Sequence, residues 1–203
     1  MTQIALYHSV LGVRPGVHAA ADLLRSHGHD VRIVDQYDGK VFDDYETASA
    51  YVEELGFPAL MQRALDAVAD LPDGFVCAGF SNGGGMAQFV AAQRPGVVGA
   101  VLMSGAIDPA EIGVTEWPST VPVQIHYTVD DPFRGQAWID AAVGAVAASG
   151  ADLEFYDYEG SGHLFTDPSL PAEYQPEQAA ELWPRVVDFL ARVEGQTRDS
   201  PPG

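Results

Sequence analysis

Phe75-Val76-Cys77-Ala78-Gly79-Phe80-Ser81-Asn82-Gly83-Gly84-Gly85 is the stretch on which the fold turns. An apolar run of strand character, Phe75 to Phe80, leads directly into Ser81, and a helix-like segment, Met86 to Gln93, follows the glycines. A serine between glycines at such a junction fits a sharp strand-to-helix turn. The flanking glycines lack the Cβ atoms that would collide where strand and helix nearly touch, and the serine side chain is held out above the sheet. The bland alternative is a glycine-rich connector without chemistry. A bare GxSxG arises by accident often enough that its setting, rather than its letters, carries the reading.

Outward from this junction, short apolar runs alternate with segments of helical period, the mark of a parallel sheet covered by helices on both faces. The expected strands are Gln3 to His8, Val31 to Asp35, Phe75 to Phe80, Val98 to Met103, Val123 to Tyr127 and Leu153 to Tyr158. Most are apolar on both faces, as strands buried from two sides require. Helical stripes appear at Val17, Ala20 and Leu24, ahead of Gly28. Others fall at Met61, Leu65, Val68 and Leu71 after Pro58, and at Trp183, Val186, Val187 and Leu190. These stripes are core.

The 203 residues are expected to form one domain over positions 1–194. A tail at 195–203, rich in Pro, Ser, Asp and Gly, is expected to fray. Apolar residues make up 47% and charged residues 19%, which excludes a disordered or fibrous chain. The formal charge of −19, with Lys40 the single lysine, makes nucleic acid a poor partner. Cys77 is the only cysteine, so neither an intramolecular disulfide nor a thiolate metal site is available. His27 and His29 have ligand-like spacing but no third ligand nearby, and no metal or cofactor is expected. His18, His27, His29 and His126 read as solvated or core-satisfied. Met1 to Ile4 lack a basic leader, and the longest apolar stretch, Val97 to Ile107, is broken by glycine and too short to span a bilayer. A cytoplasmic protein without membrane partners is the expectation.

A serine hydroxyl needs a base from elsewhere in the chain. His163 sits in the flexible turn Gly160-Ser161-Gly162-His163, directly after the run Leu153 to Tyr158. Triads built on such an elbow run in the order serine, acid, histidine, which points to Asp130 and Asp131 after Val123 to Tyr127. Either carboxylate can hold the imidazole by its Nδ1 hydrogen. The competing use of an Asp here is as N-cap of a helix over Gln136 to Ser149, and the expectation is that one caps while the other orients the base. The backbone N–H groups of Asn82 and Val10 are expected to converge as an oxyanion hole, though Val10 reads equally as an ordinary loop valine. Phe80, Trp117, Phe133 and Phe165 are candidates to wall an apolar pocket, with core packing the alternative for each.

Three separate segments carry a family resemblance. Ile4 through Asp35, with its turn His8-Ser9-Val10-Leu11-Gly12, resembles the opening of dienelactone hydrolase family proteins. Val123 to Tyr127 followed by Asp131-Pro132-Phe133 resembles the family's acid loop. Gly162-His163-Leu164-Phe165, with Tyr174, Ala179, Ala180, Trp183 and Phe189, resembles its histidine segment. The resemblance implies an α/β-hydrolase fold with a reduced, mostly parallel sheet, and it selects Asp131 over Asp130 because the family's acid stands two before an aromatic residue. It implies a catalytic set of Ser81, Asp131 and His163 acting on a small-molecule ester or lactone. Three departures matter. Dienelactone hydrolases proper carry cysteine where this chain has Ser81, a glutamate where it has Ser9, and a carboxylate-binding arginine where it has Asp167. A neutral ester or lactone is therefore the expected substrate. The alternative is a catalytically silent hydrolase-fold protein that binds a small ligand or partner. Nucleotide binding at Gly83-Gly84-Gly85 fails because no lysine follows the glycines.

Overall fold

The computed structural model describes residues 1–199. Its strands are β1 (Gln3–Tyr7), β2 (Asp30–Val34), β3 (Phe75–Phe80), β4 (Val97–Met103), β5 (Val123–Thr128) and β6 (Leu153–Tyr158). They form one parallel sheet in the order β2-β1-β3-β4-β5-β6. The helices are α1 (Pro15–Ser26), α2 (Tyr45–Leu55), α3 (Phe57–Asp66), α4 (Asn82–Gln93), α5 (Gln136–Ser149) and α6 (Pro176–Asp199). This is the α/β-hydrolase sheet with helices on both faces. Every expected strand is present, with its ends within two residues.

The period of two along β3 divides the core. Phe75 and Cys77 pack on one face with Leu60 of α3, Met86 and Val90 of α4, and Ile139 of α5. Val76, Ala78 and Phe80 pack on the other face with Leu24 of α1 and with Leu182, Val186 and Leu190 of α6. Both faces being covered explains why these strands read as continuous apolar runs. The chain leaves β1 toward β2 on one side and arrives at β3 on the other. The loops after β1 and β3 therefore diverge and open a crevice at the carboxyl ends of the strands, where ligands bind in sheets of this kind.

Helix α2 has no counterpart in the sequence reading, because only Ala48 of its residues is buried and its apolar stripe is correspondingly weak. Its start is nevertheless fixed by Asp44, whose carboxylate accepts the Thr47 N–H at 2.7 Å. The tail boundary also moves. Helix α6 continues through Asp199, because Val193 still packs in the core and no proline lies between Val193 and Pro201. Residues 200–203 of the expected tail lie outside the described residues. No helix among the described residues is long and apolar enough to cross a membrane.

His126, on β5, is fully buried. Its Nδ1 lies 2.8 Å from the Tyr158 hydroxyl and its Nε2 2.9 Å from Gln124 Oε1, and Tyr156 and Tyr158 stack beside it. Burial, and after it the nearby Arg185 guanidinium, pushes its pKa down to about 3. The unfolded histidine titrates near 6.5, so between these values the unfolded chain binds a proton that the native state refuses. The stability tied to the neutral imidazole is complete above pH ~6.5 and declines as pH falls, by about 1.4 kcal/mol per unit. Urea unfolding between pH 6.5 and 4.5 is expected to show a slope steeper by that amount in the native protein than in His126→Gln. Equal slopes would mean that the imidazole is protonated in the fold.

Candidate active site

Ser81 stands between β3 and α4 with φ 51° and ψ −120°, a conformation that a residue bearing a side chain adopts only when its surroundings enforce it. They do so here through close approach. A Cβ on Gly79 would overlap the Gly83 carbonyl, and one on Gly83 would overlap the carbonyls of Tyr7 and His8. The Ser81 N–H donates to the Met103 carbonyl at 2.8 Å and its own carbonyl accepts from Gly84, so the turn is tied to β4 and to the first turn of α4. The half-buried hydroxyl stands at the crevice between the loops after β1 and β3.

His163 follows β6 in a turn whose carbonyls are held from two strand ends. Thr128 Oγ1 donates to the Gly162 carbonyl at 2.9 Å, and Ser104 Oγ donates to the carbonyl of His163 itself at 2.8 Å. The imidazole is 5% exposed. Its Nε2 lies 2.7 Å from Ser81 Oγ, and its Nδ1 lies 2.8 and 3.0 Å from the two oxygens of Asp131, whose side chain is wholly buried. With the ring proton on Nδ1, Ser81 donates to Nε2 and Nδ1 donates to the carboxylate. Asp131 Oδ1 also accepts the Phe133 N–H at 2.8 Å, which fixes the carboxylate to its loop.

Asp130 differs from its neighbour in every respect. Its side chain is exposed and makes no hydrogen bond among the described residues, while its backbone N–H donates to the Gly160 carbonyl at 3.0 Å. The expectation that one of the pair caps α5 is corrected: the N-cap is Gly135, and no side chain caps that helix. Three residues separate Asp131 from Gly135, and the intervening turn, in which the Arg134 N–H returns to the Asp131 carbonyl, removes both acids from the helix start.

Val10 and Asn82 line the same cavity as Ser81. The Asn82 N–H opens α4, where no helical carbonyl precedes it. Among the described residues neither N–H has a hydrogen-bond partner. Unsatisfied donors on residues that line a cavity beside a serine are able to hold a developing oxyanion.

The cavity measures about 370 Å³. Its walls are mainly apolar and aromatic, with Tyr45, Phe57, Ile107, Phe133 and Trp138 prominent. Of the aromatic candidates named from sequence, only Phe133 lines it. Phe80, Trp117 and Phe165 are buried in the core, the Trp117 indole donating to the Val121 carbonyl at 2.8 Å. Tyr45, Phe57 and Trp138 were missed. The first two belong to helices between β2 and β3 that carry no motif, and the sole signal for Trp138 is a large aromatic residue in an α5 otherwise rich in alanine.

The inference drawn from Asp167 is also corrected in its geometry. The Asp167 carboxylate is buried against Gly16 of α1 and accepts both the N–H and the hydroxyl of Ser169. It borders a separate small cleft beside Arg14 and does not face the main cavity. What the main cavity does show is that, among the described residues, no lysine or arginine lines it. Arg14 donates to the Phe42 carbonyl and to Asp43, and Arg134 pairs with Asp157. No group of three or more His, Cys, Asp or Glu side chains suited to a metal ion occurs among the described residues.

The model of the dienelactone hydrolase family matches residues 3–194 of this chain. A dienelactone hydrolase-like promiscuous phosphotriesterase from metagenomic libraries superposes with a TM-score of 0.80 at 20% identity, covering 95% of this chain and 87% of that one. An acetyl ester-xyloside bifunctional hydrolase from Caldicellulosiruptor lactoaceticus gives 0.69 at 15% identity, with 96% and 84% covered. Esterase PE8 gives 0.64 at 17% identity, with 95% and 92% covered. At these identities the likeness is one of fold. No curated protein matches the chain.

Proposed function

Because the chain belongs to the dienelactone hydrolase family, and so is a hydrolase by family, we propose that it cleaves a neutral carboxylic ester or lactone by acyl transfer to Ser81. The observation that carries this reading is the 2.7 Å contact between Ser81 Oγ and His163 Nε2, with Nδ1 of the same ring on the buried carboxylate of Asp131. Ser81 Oγ attacks the substrate carbonyl carbon while Nε2 takes the hydroxyl proton, and Asp131 stabilises the imidazolium that forms. The carbonyl oxygen becomes an oxyanion held by the N–H groups of Asn82 and Val10. Collapse of the tetrahedral species breaks the ester C–O bond, and His163 returns its proton to the departing alkoxide. A water molecule, deprotonated by the same nitrogen, then attacks the acyl-serine, the bond between the acyl carbon and Ser81 Oγ breaks, His163 returns the proton to Oγ, and the acid is released. Every proton taken by His163 is given back, so the cycle closes without a cofactor.

A fluorophosphonate probe followed by hydrolysis of a panel of p-nitrophenyl esters and small lactones tests this reading. Stoichiometric labelling at Ser81 with turnover of at least one neutral ester is the expected result. A folded protein that resists the probe would instead favour a silent binding protein on the same fold.

Substrate charge supplies a separate prediction. A carboxylate entering an aromatic cavity without a cation gives up hydration for no charge-assisted contact, which is worth about 1.5–3 kcal/mol, or tenfold to more than a hundredfold. The net charge of −19 adds long-range repulsion, strongest where the screening length reaches about 30 Å at 0.01 M salt. A neutral ester is therefore expected to exceed a carboxylated analogue of equal size in kcat/KM by about ten- to a hundredfold, with the gap narrowing as salt is added. Preference for the anionic member at low salt would require an arginine to enter the cavity.

A further inference from the structure

The turn that carries His163 is gripped from a second side by residues ahead of α6. Gln175 Oε1 accepts the Gly162 N–H and Glu173 Oε2 accepts the Leu164 N–H, each at 2.7 Å. These bonds bracket the histidine in sequence. The Gln175 N–H closes the bracket on the Phe165 carbonyl at 2.9 Å, and a Cβ at Gly162 would overlap the Glu173 carbonyl. With Ser104 and Thr128 on the carbonyl side, the backbone around His163 is held by side chains from three parts of the chain.

Glu173 does one thing more. Its carboxylate also accepts the Tyr45 hydroxyl, with oxygen distances of 2.8 and 3.0 Å, across 128 residues of sequence. Tyr45 opens α2, walls the cavity, and lies 6.1 Å from the His163 ring by centroids. It also rests against Phe133 at 5.0 Å, and Phe133 in turn lies 4.7 Å from His163. One carboxylate thus sets both the backbone from which the imidazole projects and a ring that limits its swing. Burial and the Glu173 carboxylate both push the Tyr45 hydroxyl well above its ordinary range, so it remains a donor.

We propose that Glu173 is a positioning residue, whose carboxylate locks the His163 turn to the Tyr45 wall and so keeps Nε2 within hydrogen-bond reach of Ser81. This rests on the reading of Ser81 and His163 as the reacting pair. The physical argument is one of geometry: a displacement near 1 Å in a reacting group costs roughly a hundredfold in rate. An amide at this position loses the charge and one of the two acceptor oxygens, so a single neutral oxygen must serve both the Leu164 N–H and the Tyr45 hydroxyl, and the hold on the two elements weakens.

The test is the second-order rate constant for labelling by a fluorophosphonate. Ser81 Oγ bonds to phosphorus, the P–F bond breaks, fluoride leaves, and the serine proton passes to Nε2 of His163. Glu173→Gln is expected to lower this rate constant by about 10- to 100-fold while the final stoichiometry stays that of the native protein. Tyr45→Phe, which leaves the Leu164 bond in place, is expected to lower it less. Should Glu173→Gln not fold, Glu173→Asp keeps the charge, withdraws the oxygens by one methylene, and is read against the same limits. A merely structural role would reduce the labelled fraction at an unchanged rate constant, and that result overturns the proposal. So does a variant rate within twofold of the native one when native Ser81 is labelled. If the native protein is not labelled, or Ser81→Ala is labelled equally, the reading of the site itself falls, and the positioning role with it.

Discussion

Replacing Ser81 by alanine is expected to lower kcat for any ester turned over by the protein by about 10⁴-fold or more, with the fold intact. On the proposed mechanism the loss is large because the hydroxyl oxygen is the bond-forming atom, and what survives would come from the oxyanion donors and substrate binding. Alanine is the informative replacement. It retains the Cβ, so the cost of holding φ at 51° is the same before and after, and the turn between Met103 and Gly84 keeps its backbone bonds. Glycine would relax that conformation and mix a change of stability with the change of chemistry. Steady-state kinetics beside a thermal melt decide the matter. Activity within tenfold of the native enzyme in a folded Ser81→Ala protein removes this serine from the mechanism.

The second large effect separates two adjacent acids. In Asp131→Asn the new amide donates to Nδ1, the imidazole proton moves to Nε2, and the nitrogen facing Ser81 at 2.7 Å can no longer accept its hydrogen. A loss of up to about 10⁴-fold in kcat is expected. The asparagine side-chain oxygen can still take the Phe133 N–H, so the loop itself is preserved. Asp130→Asn makes the same change of charge one residue away, on an exposed side chain, and is expected to cost far less. The pair is therefore its own control for net charge. Comparable losses in both, or the reverse order, would overturn the assignment of Asp131 as the orienting acid.

These two positions show how unevenly the site is written in the sequence. Ser81 is legible without any fold in hand, because the demands on its neighbours are local. The glycines at 79 and 83 lie where a Cβ would strike a carbonyl within a few residues or on the adjoining strand. Asp130 and Asp131 are indistinguishable by residue type, by order along the chain and by distance from β5. The resemblance to dienelactone hydrolases separates them, and in the structure the buried acid and the exposed one differ by a single step of backbone direction. Asp167 illustrates the converse. Its place four residues after His163 invites the reading of a carboxylate facing substrate, yet the turn that returns its N–H to the Leu164 carbonyl sends the side chain toward α1.

The cavity walls were the least accessible part. Tyr45 arrives on a helix whose face is mostly solvated, and its relation to the site depends on Glu173, far along the chain. No period or spacing near residue 45 records that contact. The same holds for the capping of α5, which a sequence argument gives to an aspartate and the structure gives to Gly135.

What the sequence determined by itself is what burial and local sterics write into residue types: six strands apolar on both faces, the helical stripes that cover them, and a serine on a turn that only glycines permit. Tertiary structure alone decided which rings wall the cavity and what holds the histidine turn in place, and it set against His163 the carboxylate that residue types and spacing left undivided from its neighbour and that the family resemblance picks out. The physical reason is range. Apolar period and Cβ clearance are properties of a residue and its immediate neighbours, whereas a 2.7 Å contact between residues 82 apart depends on the directions of loops fixed by hydrogen bonds from elsewhere in the chain.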